Sequence, residues 1–245
     1  MTNRRETRSG GLDSGALPSQ ADVTVWQEGL HPHALLPLIV FDLDGTLLDS
    51  YEMALRTHAR VIEAMGLPPA SHALLESLNG PPLEGLCSLL GLPPERMDEL
   101  EATVSRIENE HVPVLSRLFP GVPEMLAALQ GAATLCLLTN SLPAYLELAC
   151  EATGIGKYFA ERAASTPGIS KAERIRRWME ARGLPRTLVV GDRPTDISAG
   201  REAGAWTLAV TYGCGAADQL THADAAASTV AEAWRHCERF CKGEE

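Results

Sequence analysis

The chain has 245 residues, enough for one large domain or for a core with a smaller module. Hydrophobic residues make up 45% of it and charged residues 22%, so a sizeable core can form. The formal charge of −11 argues against a nucleic-acid surface and against a polybasic membrane patch.

Residues 1–36 are polar and rich in Gly, Ser and Pro, so a disordered, dispensable tail is expected there. The "HPH" at 31–33 reads as linker rather than as a metal-ligand pair. The tail has arginines but no apolar stretch of the kind a secretory signal needs. No apolar run approaches the ~20 residues that span a bilayer. The cysteines at 87, 136, 150, 214, 237 and 241 form no CxxC pair and are expected as reduced thiols. A cytoplasmic protein is the expectation.

"PLIVFD" (37–42) reads as a short strand buried on both faces. Three similar runs follow: "TLCLLTN" (134–140), "TLVVGD" (187–192) and "TLAVTYG" (207–213). Helical patterns separate them. The expected fold is therefore α/β, a doubly wound, mostly parallel sheet.

Residues 51–118 read as helical throughout. Tyr51, Ala54, Leu55, His58, Val61, Ile62 and Met65 form one stripe, which "GLPP" ends. Met97, Leu100, Val104, Ile107, His111, Val114 and Leu118 form a second, with a kink expected at Pro113. His58 and His111 are expected to be packed or half-buried. This gives three parts: a tail (1–36), an α/β core (37–50 and 119–245) and an inserted helical lid (51–118). Further on, "SLPAYLELACEATG" is a helix between Pro143 and Gly154. "SKAERIRRWMEARG" opens with Ser170 and Glu173 at capping-box spacing.

In open α/β sheets, chemistry collects beyond the carboxyl ends of the strands. Those ends carry Asp42 and Asp44, then Thr139, Asn140 and Ser141, then Asp192 with Asp196 one helical turn on. Four converging carboxylates repel one another unless a cation sits among them. Hard oxygen donors without a Cys or His set favour Mg²⁺ over zinc. Lys171 opens a helix, where a cation opposes the macrodipole. On that ground alone, replacing it should leave stability unchanged or slightly raised. The same helix end suits an anion. A metal, a lysine and backbone donors around a carboxylate describe a phosphoryl-transfer site.

"DLDGTLLDS" resembles the first signature, DxDGTxxDS, of the haloacid dehalogenase superfamily. Leu138-Thr139-Asn140 is similar to the second, Lys171 is the candidate for the third, and "GDRPTDISAG" resembles the fourth, GDxxxD. "FPGVPEMLAAL" and "REAGAWTLAVTYG" resemble the phosphoglycolate phosphatase and β-phosphoglucomutase branch. The resemblance implies Asp42 as a nucleophile forming an aspartyl-phosphate, and Asp44 as the general acid and base. It implies Thr139 and the Asn140 amide on the phosphoryl oxygens, with Lys171 holding nucleophile and phosphate together. Mg²⁺ would be held by Asp42, Asp192 and the Asp44 backbone carbonyl, with Asp196 in support. Ala172 stands where the family often has Pro. Arg193 stands where a small hydroxyl residue is common, and is expected to face solvent.

Within the family, Asp44 argues against dehalogenation, which needs no acid there. Residues 51–118 contain no Lys for Schiff-base chemistry. A mutase would need cations in the lid for a second phosphate, and the arginines there (56, 60, 96, 106 and 117) stand mostly beside acids. "LNGPPLEGL" (78–86) reads as the substrate-facing loop and offers Asn79 and Glu84. The expected activity is hydrolysis of a small phosphate ester. A phosphosugar mutase is the alternative, and a non-catalytic scaffold the remote one.

Overall fold

The computed structural model describes residues 36–215 and 220–244. The expectations for the tail and for the 31–33 histidines lie outside that range. The four apolar runs are strands β1 (Leu38–Phe41), β2 (Thr134–Leu138), β4 (Thr187–Gly191) and β5 (Trp206–Val210). Two further strands, β3 (Glu161–Ala163) and β6 (Ala225–Ala227), complete a sheet of order β3-β2-β1-β4-β5-β6. All pairings are parallel. β3 and β6 are three residues each, "ERA" and "AAA", and sit at the edges. Both are too short to show a strand pattern, so the sequence does not mark them.

Side chains alternate across the sheet, as a strand requires. Ile39 and Phe41 join a core with α5 (Val122–Leu129), α6 (Pro143–Thr153) and α9 (Val230–Lys242). Leu38 and Val40 face the other way, onto Ile175 and Trp178 of α7 (Lys171–Ala181) and Ala199 of α8 (Pro194–Ala203). The fold is thus the expected doubly wound α/β sheet. Burying each such side chain contributes about 1.5–3 kcal/mol before conformational entropy is counted. β1 is buried on both faces.

Between β1 and α5 run α1 (Tyr51–Ala64), α2 (His72–Ser77), α3 (Leu83–Leu89) and α4 (Met97–Leu115). Val61, Ile62, Leu78, Leu86, Leu100, Val104 and Ile107 form a separate apolar cluster there. Two details differ from the sequence reading. Val114 is 65% exposed, because the last turn of α4 leaves this cluster and buries Val112 in the main core instead. Pro113 sits in that last turn. The last four residues of the expected loop at 78–86 are also helix, because α3 begins at Leu83 behind the extended Pro82.

Candidate active site

β1 lies between β2 and β4, so the carboxyl ends of three neighbouring strands meet. That places Asp42, Thr139 and Asp192 together, all buried. Adjacent strands are about 4.8 Å apart, which suits convergence on a single small group.

Carboxylate oxygens of Asp42, Asp192 and Asp196 lie within 4.8 Å of one another. Lys171 Nζ donates to Asp42 Oδ1 and to Asp196 Oδ1, at 2.6 Å each. Ser170 caps α7 by accepting from the Glu173 amide, which sets Lys171 at the first helical position. Burial alone would lower the Lys171 ammonium. Asp196 and Asp42 outweigh it and hold the ammonium above its ordinary value. Lys171 is thus an ion-pair partner, and the dipole-only expectation about its stability is corrected. A dipole term of about 0.3–1 kcal/mol is small beside two buried carboxylates. Arg193 is corrected too. It does not face solvent; its side chain is 25% exposed, lines the cavity below and lies 3.8 Å from Asp192 Oδ2.

Asp192 is fully buried. Its Oδ2 accepts from the Cys214 and Gly215 amides, at 2.7 and 3.1 Å. Its Oδ1 has no partner. Burial first, and Asp196 second, push its carboxyl up to about 6. Asp42 is raised well above the usual range, by burial and then by Asp196. Three buried acids against Lys171 and the more distant Arg193 leave excess negative charge, and Asp192 Oδ1 is left without a partner. This all-oxygen donor set fits a divalent cation such as Mg²⁺. Gly45, at φ +75°, makes the arrangement fit: a Cβ there would meet Asp192 Oδ2 at 2.2 Å.

The Asp44 carboxylate is not part of this cluster. Tyr145 Oη donates to its Oδ1 at 2.5 Å and Ser141 Oγ to its Oδ2 at 3.2 Å. Burial raises its carboxyl, partly opposed by the Tyr145 hydrogen bond. Tyr145 was read only as part of the α6 pattern; nothing local marks it, since its partner is remote in sequence. Thr139 Oγ1 accepts from the Ser141 amide at 3.1 Å, so its hydroxyl proton is free to be donated elsewhere. The Asn140 side chain donates to the Gly80 carbonyl at 3.3 Å and so ties β2 to the helical insertion.

These groups open into a cavity of about 850 Å³, counting the space that reaches solvent. The insertion supplies its far wall, including Met53, His58, Leu78 and Glu108. His58 and His111 are half-buried, as expected; His111 Nδ1 lies 3.0 Å from Thr57 Oγ1. Burial pushes His58 down to about 4. The unfolded chain takes up that proton near pH 6.5, while the fold refuses it until about pH 4. Stability is therefore lost as pH falls through this window. Acidifying from about pH 7.5 to about pH 5 should cost the wild type more melting temperature than His58→Asn. Equal losses in a thermal melt would contradict this.

A model of the haloacid dehalogenase-like hydrolases matches residues 39–210. A phosphoglycolate phosphatase of Vibrio vulnificus is 32% identical over 193 residues, 73% of this chain and 85% of that protein. A 5'-nucleotidase of Pseudomonas aeruginosa is 32% identical over 192 residues, 75% of this chain and 86% of that one. A crystal structure of a predicted phosphoglycolate phosphatase from Haemophilus somnus superposes with a TM-score of 0.73. It covers 82% of this chain and 97% of its own at 24% identity, a likeness of fold. With its motifs at the ends of three adjacent strands, the chain belongs to the haloacid dehalogenase-like hydrolases and sits among their phosphatases.

Proposed function

We propose that this enzyme is a Mg²⁺-dependent phosphatase that hydrolyses a small phosphorylated metabolite through an aspartyl-phosphate. The observation that carries the reading is the buried Asp42–Asp192–Asp196 cluster with Lys171 against it, beside a separately held Asp44. Asp42, Asp192, Asp196 and the Asp44 backbone carbonyl would hold the cation, which supplies charge neutralisation for the phosphoryl oxygens.

Asp42, steadied by Lys171, attacks phosphorus through a carboxylate oxygen, and the bond to the leaving oxygen breaks. Asp44 gives that oxygen its proton. The raised carboxyl of Asp44 suits a group that must carry a proton at neutral pH. Asp44 then takes a proton from the water that attacks phosphorus, and the bond to Asp42 breaks to release phosphate. Thr139 and the Asn140 amide orient the phosphoryl oxygens, and Lys171 offsets their charge.

We read residues 51–118 as a cap over residues 37–50 and 119–245; its separate apolar cluster supports this. Among the described residues, the Lys and Arg lining the cavity are Lys171 and Arg193, both outside the cap. That favours hydrolysis over a mutase, which would need cap cations for a second phosphate. The six free cysteines suit a reducing compartment, and we place the enzyme in the cytoplasm. Among the described residues no helix is long and apolar enough to cross a membrane.

Chelator-treated protein should not turn over p-nitrophenyl phosphate, and added Mg²⁺ should restore the rate. Full activity in excess chelator would refute the metal dependence. No activity under any divalent cation would refute the phosphatase.

A further inference from the structure

The reaction places the leaving group beside Asp44, the group that protonates it. The wall met there belongs to α4, and its polar residue is Glu108. Glu108 Oε2 is buried and has no hydrogen-bond partner. Its carboxyl is close enough to Asp44 to feel that charge, and burial followed by Asp44 pushes it up to about 8. Around it the cavity is apolar, with Met53, Leu78, Leu86 and Val104. His58, on α1, lines the same wall, and burial keeps its imidazole neutral. An unpartnered buried polar atom costs roughly 1–3 kcal/mol. A ligand group that partners Glu108 Oε2 would relieve that cost.

The chemistry of the two groups limits the ligand. Neutral imidazole offers one donor and one acceptor, and a carboxyl group accepts or donates according to its proton. Hydroxyl groups match both, being donor and acceptor at once. A carboxylate on the leaving group does not. An ionised Glu108 repels it, and a protonated Glu108 brings no positive charge to balance it. The cavity's Lys and Arg are already set against acids: Lys171 against Asp42 and Asp196, Arg193 against Asp192.

We propose that Glu108, with His58, selects phosphate esters whose leaving group is a neutral, hydroxyl-bearing alcohol, a sugar or polyol, over esters whose leaving group carries a carboxylate. The inference rests on the phosphatase reading above and narrows its substrate class.

The test compares kcat/KM for glycerol 3-phosphate, hexose 6-phosphates, 2-phosphoglycolate and p-nitrophenyl phosphate, all with Mg²⁺. The best polyol ester should exceed 2-phosphoglycolate by about 10-fold or more. Glu108→Leu should lose that ratio mainly through KM for the polyol ester, with a melting temperature unchanged or raised. Glu108→Lys should shift the ratio toward 2-phosphoglycolate. Glu108→Gln has nearly the shape of the wild type and covers the case in which the others misfold; the preference should narrow in it too. A wild type that prefers 2-phosphoglycolate overturns the inference and leaves the phosphatase standing. So does a ratio unchanged in both Glu108→Gln and Glu108→Lys. No turnover of any ester, p-nitrophenyl phosphate included, overturns the phosphatase and this inference with it.

Discussion

Asp42→Asn should abolish turnover while phosphate analogues still bind. The substituted amide keeps the shape of the side chain but is a very poor nucleophile, so no aspartyl-phosphate forms. Asp44→Asn should behave differently. It keeps the hydrogen-bonding shape that Tyr145 and Ser141 hold and removes only the transferable proton. Its expected loss is therefore about 10²–10⁴-fold in kcat. The loss should be smallest for p-nitrophenyl phosphate, whose leaving group departs with little need of a proton. Rapid-quench trapping of phosphorylated protein separates the two roles. Asp44→Asn should still yield a covalent adduct with that substrate, and Asp42→Asn should yield none. Near-normal rates in Asp42→Asn would rule out the covalent mechanism.

Lys171→Ala should injure both stability and catalysis. One ammonium accepts the burden of two buried carboxylates at 2.6 Å each. Removing it leaves Asp42 and Asp196 uncompensated, and breaking a buried pair in this way costs about 3–5 kcal/mol. Metal-free protein should show the loss in urea denaturation. The kcat/KM should fall by about 10²–10³-fold, the scale of losing one charge-stabilising donor. Lys171→Arg should recover little of either. A planar guanidinium cannot present one compact charge to two carboxylates in so tight a space. Wild-type turnover in Lys171→Ala would turn attention to Arg193 as the working cation.

The centre of the fold was legible and its margins were not. β1, β2, β4 and β5 are covered on both faces, so their sequences are continuous apolar runs. β3 and β6 need only three residues because each pairs with one neighbour, and "ERA" and "AAA" look like nothing in particular. Helices were legible where one partner surface governs the stripe. α4 was misread at Val114 because it packs on two surfaces in succession. The residues gathered at the site were legible where a strand ends in a polar side chain, as at Asp42, Thr139 and Asp192. Lys171 could be singled out because it broke a local rule at the helix terminus, though its partners are remote in sequence. Tyr145 and Glu108 obey the local rules of their helices, so only the packing of α4 and α6 shows that they face the site.

The helical insertion leaves and rejoins the sheet at a single clasp. The Asp49 amide donates to the Arg117 carbonyl and the Phe119 amide to the Leu47 carbonyl, at 2.8 and 3.0 Å. Leu48 and Leu118 form an antiparallel bridge between them. Tyr212 adds a hydrogen bond to the Thr46 carbonyl and an edge-on contact with Phe119. Once two chain ends are pinned together, the length between them matters little: doubling a loop adds only about 0.6 kcal/mol of closure entropy. The cost of closing the chain at the clasp therefore changes little with the length of what is threaded through it. Sequence change in the insertion can remodel what the cavity admits while Asp42, Lys171 and Asp192 stay where the strands put them.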